Sequence, residues 1–195
     1  MTRRYAGLVG IALLVAASCR AQDPAPPPSP AGAPAAQNEA VRAGDKAVIE
    51  KTIRDSIGWA LTKDRVLAES VLAHDDRLFM FSPDSKGTIA GWDQFVKQFE
   101  FWMDPRFKAT TFDVRDLRID LSRSGDVAWW SCILDDLGEW DGRPVGWKDT
   151  RWTGVIEKRD GEWLIVQMHF SFASDKVRAE AAKAKEQGTG SSKEK

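Results

Sequence analysis

Asp160-Gly161 stands between two β-rich runs, Asp149 to Arg159 and Glu162 to Phe172. That dipeptide between such runs is a strong short-range hairpin signal, because both central positions of a tight two-residue turn need positive φ. A chain that closes this corner commits its C-terminal part to antiparallel sheet. A two-residue turn with unbroken pairing sets Trp152 opposite His169, Gly154 opposite Gln167 and Thr150 opposite Ser171. Trp152, Trp163, Gln167 and His169 then share one aromatic–polar face. Leu164, Val166, Met168, Phe170 and Phe172 share an apolar one. A change of one residue in the pairing exchanges the two faces.

Upstream of the hairpin the pattern changes from strands to helices. Ile49, Ile53, Ile57 and Leu61 recur every four residues and predict a helix from Lys46 to Thr62, capped by Asp45. A short helix is expected at Arg65–Ala73 with Asp64 as its cap, then a strand at Arg77–Ser82 and turn chemistry at Pro83 to Gly87. Trp92, Phe95, Phe99 and Trp102 form one stripe of a third helix, Trp92–Met103, which Asp104-Pro105 ends. Strands are expected over Lys108–Leu121, Asp126–Leu137, Pro144–Lys158 and Glu162–Phe172. Helices first and a meander of long strands last give an α+β fold, three helices packed on one curved antiparallel sheet.

The flanks differ in composition. Arg3 and Arg4 precede an apolar stretch, Tyr5 to Ala17, shorter than the ~20 residues a spanning helix needs and of signal-peptide length. Val15-Ala-Ala-Ser-Cys19 resembles the bacterial lipobox, with Ala16 where Leu is usual. That likeness implies acylation of Cys19 and lipid anchoring in the bacterial cell envelope. Arg20 rather than Asp after the Cys resembles the outer-membrane sorting pattern, on the periplasmic side in a Gram-negative cell; ordinary cleavage near Ala17 with secretion is the alternative. The expected division is a signal peptide at 1–18, lipidated Cys19 and a Pro/Ala-rich linker at 19–44, a domain at 45–174 and a charged tail at 175–195.

Charge excludes one class of partner. The 28 Lys and Arg nearly balance 29 Asp and Glu, so no basic surface points to nucleic acid. With Cys19 acylated, Cys132 stands alone in an apolar run and reads as a small buried residue. His74 and His169 are the two histidines, without a ligand-spacing motif, so neither a metal nor another cofactor is expected.

Three stretches resemble the SnoaL-like branch of the nuclear transport factor 2-like superfamily. They are His74-Asp-Asp-Arg-Leu-Phe-Met-Phe-Ser-Pro continuing to Gly91-Trp-Asp-Gln-Phe95, then Gly125-Asp-Val-Ala-Trp129, then Thr153 through the hairpin to Ser171. The resemblance implies a cone-shaped domain, a cavity under the helices, and a homodimer. It implies no single activity, since relatives include isomerases, cyclases, dehydratases and adaptors. Trp152, Trp163, Gln167 and His169 are expected to bind a small, largely apolar molecule. An isomerase-, cyclase- or dehydratase-type enzyme would take its base from His169, Asp149 or Asp135. A third alternative is a dimeric protein-interaction module. The ketosteroid isomerase pairing of a Tyr with a protonated Asp has no counterpart, because the one tyrosine, Tyr5, lies in the leader.

Overall fold

The computed structural model describes residues 35–84, 86–175, 177, 179 and 180. The expected signal peptide, Cys19, the linker to residue 34 and the tail from 181 lie outside the described residues. Among those described, no helix is long and apolar enough to cross a membrane.

Helix α1 spans Ala35–Gly58 and continues into a 3-10 turn at Trp59–Leu61. It begins eleven residues before the expected start at Lys46. The segment around Glu39-Ala-Val-Arg-Ala43 is made of good helix formers, and that propensity carries the helix past Gly44. Asp45 is consequently inside the helix rather than capping it. Its carboxylate accepts from Lys158 Nζ at 2.8 Å and Trp163 Nε1 at 3.1 Å, tying α1 to the last hairpin. Ile49 and Ile53 are fully buried, with Thr52 and Ser56 beside them. Helix α2 covers Arg65–Ser70, with Asp64 accepting from the Leu67 N–H as its cap. Helix α3 covers Trp92–Trp102 and buries Phe95 and Phe99.

The strands are β1 (Phe79–Phe81), β2 (Thr88–Ala90), β3 (Phe107–Leu121), β4 (Val127–Trp140), β5 (Arg143–Arg159) and β6 (Glu162–Ser171). They form a single curved, open sheet in the order β2-β1-β6-β5-β4-β3. The fold is α+β, with the helices on one face as expected. The sheet is mixed, because β1 runs parallel to β6, and β2 adds a short edge strand.

Both late hairpins turn on Asp-Gly pairs with positive φ, 51° and 74° at Asp141-Gly142, 51° and 90° at Asp160-Gly161. The last hairpin starts in the expected register, Arg159 opposite Glu162 and Lys158 opposite Trp163. A bulge after Ile156–Ile165 then shifts it by one. Trp152 therefore faces Phe170 rather than His169, and Gly154 faces Met168 rather than Gln167. Ile165 and Val166 are buried in succession, so Val166 is the extra residue. Beyond it every side chain sits on the face opposite to the one expected. Gly154 is needed for space: a Cβ there would lie 2.1 Å from the Trp130 ring and 2.4 Å from the Gln167 carbonyl.

Candidate functional site

The bulge decides which residues of β6 look under the helices. Met168 and Phe170 do, and with Met80 of β1 they floor a cavity of about 310 Å³. Its roof is the end of α1, with Ser56 and Ile57, and the 3-10 turn, with Trp59 and Ala60. Phe95, Phe101 and Trp102 of α3, Phe107 of β3 and Val145 to Trp147 of β5 complete the wall. The rings of α3 and the 3-10 turn brace one another: Trp102 lies 5.5 Å between centroids from Trp59, edge-on, and 5.5 Å from Phe95, tilted. Trp147 packs on Phe170 at 5.5 Å. Such a surface gives up water readily to an apolar guest.

One charged group interrupts it. Along β4 the even-numbered residues Ala128, Trp130, Cys132 and Leu134 face the core, and Asp136 is next in that alternation. Opposite it, β5 bulges: Leu134 pairs with Thr150, but Asp136 pairs with Trp147. The offset keeps Trp147 and Asp136 on the cavity side together. Gly146, at φ 120°, allows the close approach, since a Cβ would meet the Asp136 carbonyl oxygen at 2.2 Å. Among the described residues no donor reaches the Asp136 carboxylate, and no Lys, Arg or His lines the cavity. Burial in these surroundings pushes its pKa up to about 6, because an apolar wall disfavours the charged form.

The residues expected from sequence are placed differently. Trp152 and Trp163 are buried on the core face; Trp152 stacks on Phe170 at 5.7 Å behind the cavity, and Trp163 is held by Asp45. Neither lines the cavity. Gln167 and His169 are half-buried on the opposite, outer face, with His169 edge-on to Phe81 at 5.6 Å. That face also exposes Phe79, Phe81 and Trp129. Asp135 and Asp149 are on the outer face too. Arg115 Nη2 donates to both at 3.0 Å, and the Asp149 N–H donates to Asp135 at 2.7 Å, which makes them a structural clamp across the β4–β5 bulge. His74 lies apart, exposed and stacked on Trp92 at 3.8 Å. Cys132 is buried as expected, its thiol pushed up to about 12 by burial. No three His, Cys, Asp or Glu side chains gather as a cation would require, among the described residues.

Of the Asp135-Asp136 pair, sequence reasoning named Asp135, whereas Asp136 is the member that lines the cavity. The signal was present: the apolar alternation of 128, 130, 132 and 134 puts 136, not 135, on the core face.

Residues 49–175 match the model of the SnoaL-like domain. No curated protein matches the chain. Among solved structures, an NTF2-like protein from Cytophaga hutchinsonii ATCC 33406 is similar at a TM-score of 0.54 and 16% identity, covering 66% of this chain and 98% of its own. A hexachlorocyclohexane dehydrochlorinase (LinA) Type2 gives 0.56 and 18%, covering 68% and 87%. A putative Ca/calmodulin-dependent kinase II association domain from Exiguobacterium sibiricum 255-15 gives 0.54 and 8%, covering 65% and 92%. At these identities the likeness is one of fold.

Proposed function

The chain belongs to the SnoaL-like domain family, and within it we propose a receptor role: one small, largely apolar ligand enters the cavity under α1 and α3. Asp136 serves as its polar anchor. The observation that carries this reading is an aromatic cavity of about 310 Å³ whose wall holds an unpartnered carboxylate. Apolar walls supply affinity and a lone polar group supplies orientation. A bicyclic aromatic guest burying roughly 200 Å² at ~25 cal/mol per Å² gains about 5 kcal/mol, a Kd of roughly 0.2 mM. Naphthalene-sized probes such as 2-naphthol are therefore expected to quench tryptophan fluorescence saturably at sub-millimolar concentration. Ala60→Phe, which fills the roof, removes the saturable phase. A linear, unsaturable response in the unaltered protein would refute the reading. The Cys19 anchor belongs to the same proposal, a receptor held at the cell envelope. Mass spectrometry of the membrane fraction tests it: acyl chains on Cys19 support it, and an unmodified N-terminus removes it.

A second reading is favoured by one observation. A carboxylate raised to about 6 by burial suits proton abstraction near neutral pH, so the enzymatic alternative moves its base from His169, Asp149 or Asp135 to Asp136. A similar structure is named as a dehydrochlorinase, but fold alone transfers no chemistry. Deuterium exchange at the α-carbon of 2-tetralone discriminates. Exchange that depends on the protein and disappears in Asp136→Asn supports a base. Saturable binding of 2-tetralone without exchange supports the receptor.

A further inference from the structure

The cavity also constrains the charge of its occupant, an inference resting on the receptor reading above. Asp136 is the one ionisable group among the described lining residues. The hydroxyl nearest to it in kind, Ser56, donates its proton to the Ile53 carbonyl at 2.8 Å and has none left for a carboxylate. Two cations of the neighbouring strands are engaged elsewhere. Arg115 holds Asp135 and Asp149 on the far face, and Lys158 holds Asp45. Three indoles and four phenyl rings make up most of the remaining wall.

An uncompensated carboxylate in apolar surroundings is costly, and a bound group that returns the missing positive charge recovers that cost. Aromatic faces are negative at their centres, so they attract a cation and disfavour a second anion. A neutral donor would satisfy hydrogen bonds yet leave the charge uncompensated. We infer that the ligand is a small organic cation, an ammonium group on an apolar body, its charge against the Asp136 carboxylate and its carbon skeleton among the surrounding rings. The upward pKa shift at Asp136, with burial as its cause, agrees: no protein cation holds the group ionised.

The test pairs two isosteres. Phenyltrimethylammonium and tert-butylbenzene have nearly the same shape and differ in one charge. Each is titrated into the full chain by tryptophan fluorescence, the neutral probe to its solubility limit, and again into Asp136→Asn. Phenyltrimethylammonium is expected to bind at least tenfold tighter than tert-butylbenzene, and Asp136→Asn to remove most of that preference while leaving the neutral probe bound. Equal or tighter binding of tert-butylbenzene overturns the cation inference and leaves the apolar receptor standing. A cation preference undiminished in Asp136→Asn overturns it too, by showing that the Asp136 carboxylate does not recognise the charge. Binding of neither probe overturns the receptor reading and this inference together. The comparison in the unaltered protein decides even where the variant fails to fold.

Discussion

Replacing Asp136 by Asn should change how stability depends on pH, and the size of the effect follows from where the carboxylate sits. An ordinary Asp titrates near 3.8, whereas burial moves Asp136 to about 6. Between those values the folded protein holds a proton that the unfolded chain has released, so the unaltered protein loses stability as pH rises through this window. The loss is complete above about pH 7 and absent below about pH 4. Two pH units at ~1.4 kcal/mol apiece give about 3 kcal/mol as an upper figure. Partial solvent access through the cavity mouth reduces it to roughly 1–3 kcal/mol. Asn keeps the size of the side chain and removes the titration. Urea unfolding of the two proteins from pH 4 to 8 should therefore show Asp136→Asn gaining on the parent by that amount between pH 4 and 7, then running parallel. At ~2–4 °C per kcal/mol the melting temperatures should diverge by several degrees over the same range. A difference that stays constant with pH would refute the reasoning, since it would mean the carboxylate titrates normally in the fold.

Thr150 is fully buried with its Oγ1 unpartnered, so Thr150→Val should raise stability by about 1 kcal/mol in denaturant unfolding; a loss of that size would mean the hydroxyl is satisfied. Asp45→Ala should cost about 2 kcal/mol, because it frees Lys158 and leaves the buried Trp163 N–H without an acceptor. Burial alone would raise the Asp45 carboxyl, but the Lys158 and Trp163 hydrogen bonds outweigh it and hold the group below its ordinary value. The gap between parent and Asp45→Ala should accordingly be full above about pH 4 and close as pH falls further, where folded Asp45 takes up its proton; a gap unchanged by acid contradicts this. We propose that the expected homodimer uses the outer sheet face, where Phe79, Phe81 and Trp129 are exposed. Trp129→Glu should then halve the sedimenting mass, and a mass equal to one chain in the parent would remove the dimer.

How much of this was legible in sequence depended on whether the signal was local. The α3 stripe, the Asp64 cap and the turns at Asp141-Gly142 and Asp160-Gly161 are local, and they are found where the residues place them. The start of α1 was missed because the Pro-rich segment before it masked the helix-forming run that follows. β2 was missed because three residues, Thr88-Ile-Ala90, carry too little pattern to register. Parallel pairing of β1 with β6 is a tertiary event with no local mark. The bulge at Val166 mattered most. Ile165-Val166-Gln167 reads as an ordinary stretch of strand, and only packing reveals that two consecutive apolar side chains are both buried. That single inserted residue moved His169 and Gln167 outward and brought Met168 and Phe170 to the cavity. On β4 the alternation was legible, and Asp136 could have been chosen from it.

The most direct trial of the account is a carbon-13 NMR titration of the Asp136 side-chain carboxyl in the folded chain. A midpoint about two pH units above an ordinary Asp, near 6, is the result predicted for a carboxylate facing an apolar hollow without a partner. A midpoint near 4 would contradict it, since it would show the group in water or held by a cation.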